Sequence, residues 1–172
     1  MPPTIIEFNP HGPFEVPLTA RRLIDNDALK EFWGQVDLTV LRGERGLYVF
    51  AVRGPGRGMR PLYVGRATRS TFGSECFNAA NRDKLNHGLP GSGKLVLFLI
   101  KYVRRGRGRI NSTAIQNLER ELIALAKAMN PEQLLNIHGT RPRFSIRING
   151  VLNPAPGKPS RAASEFKRMI GL

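Results

Sequence analysis

The stretch GLYVFAVRGPGRGMRPLYVG, at residues 46–65, carries the strongest signal in this chain for a particular fold. Residues 46–53 and 61–65 are rich in β-branched and aromatic side chains, which are typical of strands. Residues 53–60, between them, are almost entirely glycine, proline and arginine, the composition of a turn. Two such runs around a turn-rich segment predict a β-hairpin.

The segments that follow the hairpin predict a strand between helices. Residues 95–103 form a continuous apolar run, which indicates a buried central strand, and residues 71–85 before it predict a helix. Residues 111–129 predict a longer helix, which Asn111 or Ser112 can cap and which Asn130–Pro131 ends.

The remaining segments complete an α+β chain. We expect a small, central, mostly antiparallel sheet flanked by helices, with an N-terminal arm and helix and a C-terminal helical tail. The chain is predicted to be a single domain, residues 1–172, in which 1–45 hold the arm and helix, 46–137 the core and 138–172 the extension. The other predicted elements are a proline-rich extended arm laid over the domain at 1–18, a helix at 19–36, a short strand at 37–41, an extended segment at 134–137, a strand at 144–148, a linker at 153–159, and a helix from Ser160 to Leu172.

Composition indicates a globular protein with a polyanionic partner. Of 172 residues, 41% are apolar and 23% are charged, which is not the profile of a disordered chain. Lysine and arginine number 27 against 13 acidic residues, a net charge of +14. Arginine outnumbers lysine by 20 to 7, and guanidinium groups pair bidentately with phosphate.

Several classes of protein are excluded at this point. The only cysteine is Cys76, which excludes an internal disulfide and a cysteine-rich zinc site. No basic stretch leads into an apolar run near the N-terminus, and the longest apolar run, residues 95–100, is too short to span a bilayer. We therefore expect no membrane association and a cytoplasmic location.

Glu119 is the main anomaly of the long predicted helix. Ile115, Leu118 and Leu122 belong to one apolar face of that helix, and Glu119 falls within it. A carboxylate there is costly unless it is paired, hydrogen-bonded or bound to a metal. One interpretation is a catalytic or metal-binding carboxylate. The other is a glutamate at the edge of the face, with a packed stem and a head that reaches water or an arginine.

Two tyrosines lie on the predicted hairpin, and each is next to a glycine motif. Tyr48 ends GLY at 46–48, and Tyr63 begins YVG at 63–65. A tyrosine hydroxyl can orient a water or transfer a proton. Tyrosines are also enriched in strands simply because they pack well there, so the two readings stay open.

Taken together, these motifs resemble the GIY-YIG nuclease family. GLY at 46–48, YVG at 63–65 and Glu119 within LERELI appear in the family's order, followed by Asn130–Pro131 and Leu135–Asn136. The resemblance covers about residues 46–137. It implies a compact sheet with flanking helices and a metal-dependent endonuclease that hydrolyses DNA phosphodiester bonds.

The resemblance also implies roles for particular residues. Tyr48 would act as the general base or help to position it, and Tyr63 would hydrogen-bond in the same site. Glu119 would bind a single Mg²⁺ or Mn²⁺, which would stabilise the scissile phosphate and the leaving oxygen. Arg66 would lie near the phosphate, and Asn136 would brace the site or contact the DNA backbone.

The catalytic arginine of the family lies after YVG, where this chain offers Arg69 and Arg82. We favour Arg69 because it is closer to the motif, and its role would be to offset charge in the transition state. The predicted DNA-contacting residues are basic side chains of the hairpin tip and of the loop before the long helix, namely Arg57, Arg60, Arg104, Arg105, Arg107 and Arg109. RNA is a possible substrate, and the alternative function is a basic nucleic-acid-binding module without catalysis.

Overall fold

A computed structural model describes residues 5–104, 108–136, 146–152 and 157–172, apart from the side chains of Arg57, Ile146 and Arg147. Within these residues the chain is α+β, as predicted, with a mostly antiparallel sheet of five strands flanked by six helices. The strands are β1 (Ile6–Glu15), β2 (Gly46–Arg53), β3 (Met59–Ala67), β4 (Lys94–Tyr102) and β5 (Ile146–Ile148). The helices are α1 (Asn26–Trp33), α2 (Val36–Leu41), α3 (Phe72–Glu75), α4 (Ala79–Gly88), α5 (Ser112–Met129) and α6 (Arg161–Met169).

The strand order is β3-β2-β4-β1-β5, which makes β4 the central strand. β4 pairs antiparallel with β2 on one side and with β1 on the other, and β5 joins β1 in parallel. Residues 95–100 are completely buried, which confirms the prediction made from their apolar run. A strand with neighbours on both edges and helices on both faces has no side that faces water, so its sequence does not alternate.

Alternate side chains of β2 enter two separate hydrophobic cores. Leu47 and Val49 pack with α5 and α6, and we call this side of the sheet the α5 face. Tyr48 and Phe50 pack on the other side, with residues of α1 to α4, and we call it the α4 face.

The predicted hairpin of β2 and β3 is confirmed. Their register runs from Gly46 opposite Ala67 to Arg53 opposite Met59, with one irregularity beside Phe50. A short 3₁₀ turn links the two strands, and Gly56 within it has a φ of +81°, a conformation that favours glycine.

The arm predicted for residues 1–18 is wrong for most of the described part, because residues 6–15 form strand β1 within the sheet. Ile6 and Phe8 alternate with less buried residues and enter the core. β1 supplies the hydrogen-bonding partner that the second edge of β4 requires. Its prolines, Pro10 and Pro13, come after the residues of β1 that pair with β5. A strand tolerates proline where one of its edges is unpaired, because no neighbouring strand then needs the missing N–H group.

The strand predicted at 37–41 is also wrong, since these residues belong to helix α2. Leu38 and Leu41 are three residues apart and are both buried, which is a helical spacing. The helix predicted at 19–36 forms only in its second half, as α1. Asp25 caps α1 by accepting a 2.8 Å hydrogen bond from the Ala28 amide.

The later predicted helices are present. Asn111 caps α5 through the Ala114 amide at 2.9 Å, and Ser160 caps α6 through the Ala163 amide at 3.1 Å. The helix predicted at 71–85 forms as two, α3 and α4. The Asn78 side chain caps α4 through the Asn81 amide at 2.9 Å, which starts a new helix at that point.

The last predicted segments are only partly described. β5 covers residues 146–148 of the strand predicted at 144–148, whereas 144–145, Ile137 and 153–156 lie outside the described residues. In the extended segment predicted at 134–137, Leu135 and Asn136 form no strand but hydrogen-bond to β3. None of the helices in the described ranges has the length and apolar character needed to cross a membrane.

Candidate functional site

The two motif tyrosines pack together on the α4 face. In the hairpin register Tyr48 lies opposite Gly65, and the ring centroids of Tyr48 and Tyr63 are 6.3 Å apart. A Cβ atom on Gly65 would lie 2.3 Å from Cζ of Tyr48. The glycine of the YVG motif therefore leaves the space that the tyrosine of the GLY motif fills.

Helix α4 holds the hydroxyl group of Tyr48. The side-chain amide of Asn81 donates one hydrogen bond to Tyr48 Oη and another to the Glu75 carbonyl oxygen, both at 2.8 Å. Tyr48 is 2% exposed, and this burial raises the pKa of its hydroxyl above the ordinary tyrosine value, although the Asn81 hydrogen bond acts in the opposite direction. Tyr48 is consequently a neutral phenol at physiological pH.

Tyr63 is half-buried, and a cationic side chain lies over the face of its ring. The Lys84 ammonium nitrogen, also from α4, lies 4.2 Å from the centroid of the Tyr63 ring. This distance is within the range of a cation–π interaction.

Glu119 and Arg66 meet on the opposite side of the sheet. Arg66 Nη1 donates a 2.5 Å hydrogen bond to Glu119 Oε2, which also makes the two residues an ion pair. The Glu119 side chain is 16% exposed. Burial raises the pKa of this carboxyl group, against the opposing effect of Arg66 and Arg120. The stem of Glu119 is thus packed and its head is paired with an arginine.

The strand register places the Arg66–Glu119 pair and the Tyr48–Tyr63 pair on opposite faces of the sheet. Arg66 lies opposite Leu47, which faces α5, whereas Tyr48 and Tyr63 face α4. β3 is the outermost strand of the sheet at this end. A single site that includes both pairs must therefore extend across the edge of β3.

Asn136 lies on that edge. Its side chain accepts a 2.8 Å hydrogen bond from the Val64 amide and donates a 2.7 Å hydrogen bond to the Val64 carbonyl. The Leu135 amide adds a 2.8 Å hydrogen bond to the carbonyl of Leu62. Asn136 therefore braces the YVG strand by satisfying backbone groups that an edge strand would otherwise expose.

Arg69 and Arg82, the two candidates for a catalytic arginine, do not meet the tyrosine pair. Arg69 is exposed just after β3, and no hydrogen bond or ion pair from the described residues holds it. Arg82, on α4, donates a 2.8 Å hydrogen bond to the side chain of Asn26 at the start of α1.

The predicted DNA-contacting arginines are exposed wherever the structure describes them. Arg60 lies on β3 near the hairpin tip, and Arg104 and Arg109 flank the loop before α5. The side chain of Arg57, and Arg105 and Arg107 as whole residues, lie outside the described part of the chain.

Two residues that hold the tyrosines from α4, Asn81 and Lys84, were not predicted from the sequence. One signal was present in the sequence: Asn81 is four residues before the apolar Leu85, so both lie on the buried side of a helix. A buried asparagine needs hydrogen-bond partners, but the sequence does not reveal that one of them is Tyr48.

Glu119 is the carboxylate predicted to bind a divalent cation. Mg²⁺ is often held by one or two carboxylates, with water and substrate phosphates as its other ligands. A single, largely buried carboxylate next to an arginine is compatible with that pattern. Within the described ranges, no group of three potential metal-ligating His, Cys, Asp or Glu side chains comes together.

A cavity of about 1140 Å³ lies away from these residues, along β1. It is lined by charged and polar side chains that include His11, Lys101 and Arg161. Because β1 and β3 are separated by two strands, this cavity does not belong to the site at the β3 edge.

No protein-family model, curated protein or solved structure matches this chain.

Proposed function

We propose that this protein is a cytoplasmic, metal-dependent endonuclease of the GIY-YIG type that hydrolyses DNA phosphodiester bonds at the edge of β3. The observation that carries the proposal is the pairing of Glu119 with Arg66. A carboxylate and a guanidinium, 53 positions apart in the sequence, meet directly beside the YVG strand. In phosphodiester hydrolysis, a carboxylate can bind the metal cation and a guanidinium can bind the phosphate.

In this proposal Glu119 would hold Mg²⁺ or Mn²⁺, and the ion would stabilise negative charge on the phosphate and on the leaving oxygen. Arg66 neutralises Glu119 in the free protein. With a cation held by Glu119, the Arg66 guanidinium would be free to bind a phosphate oxygen of the substrate. The net charge of +14 favours the approach of DNA to this surface.

The role of Tyr48 follows from its neutrality. Its oxygen accepts a hydrogen bond from Asn81, so its own proton remains available for donation. A buried, neutral phenol is a poor general base at physiological pH, because the ionised form is disfavoured. We therefore assign Tyr48 a positioning role in the site rather than the role of the base.

A second candidate is a module that binds DNA or RNA without cutting it. The observation that favours it is that Arg66 already engages the Glu119 carboxylate, while the Tyr48 hydroxyl is buried. In such a module the same ion pair would be purely structural, and basic side chains alone would bind the phosphate backbone.

The decisive experiment compares supercoiled plasmid cleavage by the wild type, Glu119→Gln and Glu121→Gln, each with Mg²⁺, Mn²⁺ or EDTA. Glu121 lies on the same helix as Glu119, and its substitution removes the same charge, so Glu121→Gln is the matched control. The endonuclease proposal predicts metal-dependent nicking by the wild type and Glu121→Gln, and none by Glu119→Gln. Cleavage that persists in Glu119→Gln would refute the role of the carboxylate.

Binding to fluorescently labelled DNA and RNA duplexes, measured by anisotropy, separates the two candidates. If all three proteins bind but none cuts plasmid or branched DNA, the binding module is supported. If the proteins bind or cut only RNA, the proposed substrate changes from DNA to RNA.

A further inference from the structure

We propose that Lys84, on helix α4, supplies the cation on the tyrosine side of this site, where it fixes the ring of Tyr63 and binds a phosphate oxygen of the substrate. This inference rests on the proposed function and adds a residue to it.

Helix α4 presents one face to the tyrosine pair. Asn81 and Lys84 are three residues apart, so their side chains emerge on the same side of the helix. Asn81 hydrogen-bonds Tyr48, and the ammonium of Lys84 lies over Tyr63. Asn81 is buried and its two N–H groups are both used, by Tyr48 and by the Glu75 carbonyl. This anchor sets the position of α4, and therefore of Lys84, relative to the hairpin.

Contact with a ring does not use up the hydrogen-bonding capacity of an ammonium group. The attraction comes from the electrostatic field of the ring face, and an ammonium has three N–H donors. None of the carboxylates in the described ranges forms an ion pair with Lys84. Lys84 is half-buried, so its head is held in place while its donors remain available to a phosphate.

The other basic residues of this region are placed differently. Arg82 projects from the same helix but hydrogen-bonds Asn26 on α1, and Arg69 is exposed beyond the end of β3. Arg66 lies on the α5 face with Glu119. In the proposed site, which extends across the β3 edge, Arg66 thus lies on one face of the sheet and Lys84 on the other.

The functional test measures the rate of plasmid cleavage over a range of DNA concentrations, which gives kcat and KM, for the wild type, Lys84→Met, Lys84→Arg and Lys30→Met. Lys84→Met keeps most of the length of the side chain without its charge, and Lys84→Arg keeps the charge. Lys30 is exposed on α1, so its variant controls for the loss of one positive charge. We expect kcat to fall about 100-fold in Lys84→Met, with a smaller change in KM. Lys84→Arg should restore most of the rate, and Lys30→Met should retain it.

A second measurement tests the geometry without relying on cleavage. The methylene protons next to the Lys84 ammonium should show an upfield ring-current shift in the NMR spectrum of the wild type, and Tyr63→Leu should abolish it. Ordinary lysine shifts in the wild type, or a Lys84→Met variant that cuts as fast as the wild type, would overturn the inference. Absence of cleavage by the wild type would instead refute the nuclease proposal, and the ring-current shift would still decide whether Lys84 holds Tyr63.

Discussion

Gly65 lies directly opposite Tyr48 in the hairpin, and the tyrosine ring occupies the space that a side chain on Gly65 would need. Added to Gly65, a Cβ atom would come within 2.4 Å of the Tyr48 oxygen. Tyr48 cannot move away freely, because Phe50, Tyr63 and Asn81 surround its ring and hydroxyl. This steric relationship links the two glycine–tyrosine motifs physically.

We predict that Gly65→Ala lowers the free energy of unfolding by about 1–3 kcal/mol, the usual cost of overpacking a core. Urea denaturation measures the change. Gly43→Ala is the matched control, since nothing lies within 4 Å of a Cβ there, and it should leave the stability essentially unchanged. Equal stability of the two variants would show that Tyr48 yields without cost.

Glu119 should make the stability of the protein depend on pH. Burial raises the pKa of Glu119 in the folded state above its value in the unfolded chain. The folded state therefore binds the proton more tightly, and the stabilisation present at low pH is lost as the pH rises above about 4.3, the ordinary glutamate value. Relative to Glu119→Gln, which does not titrate, the wild type should become less stable between pH 4 and pH 7.

Urea denaturation of both proteins at several pH values tests this prediction, because the other titrating groups cancel in the difference. A wild type that gains stability relative to Glu119→Gln over this range would mean that the attraction of Arg66 exceeds the cost of burial.

Tyr48 should remain un-ionised up to the pH of alkaline unfolding, because burial raises the pKa of its hydroxyl. We expect the tyrosinate absorbance of the wild type and of Tyr48→Phe to rise along the same curve while both are folded. Circular dichroism on the same samples marks the onset of unfolding. An additional ionising group in the folded wild type would restore Tyr48 as a candidate general base.

Asn136→Ala should weaken the edge of β3. The substitution removes two hydrogen bonds to Val64, and at about 1 kcal/mol for each the expected loss is about 2 kcal/mol of folding free energy. Amide hydrogen exchange at Val64 should accelerate, since its N–H loses its partner. Gln133→Ala, at an exposed position, is the control. Unchanged protection of Val64 in Asn136→Ala would contradict the bracing role.

Much of the fold could be predicted because its signals are local. The hairpin has its turn residues between its two strands, and β4 is a continuous apolar run. Helices α5 and α6 each begin at a capping side chain. β1 could not be recognised in this way, because its prolines resemble those of a loose arm and its strand character depends on pairing with β4. The residues of α2 have strand-like composition, and only the burial of Leu38 and Leu41 reveals a helix.

The amino-acid sequence alone was enough to predict the α+β class, the basic charge, and the candidate site residues Tyr48, Tyr63, Arg66 and Glu119. Which of these residues contact one another is visible only in the folded protein. Arg66 pairs with Glu119, and Asn136 with Val64, across 53 and 72 positions of the chain. Contacts of this kind depend on strand register and helix placement, which arise from the packing of the whole core rather than from any local pattern.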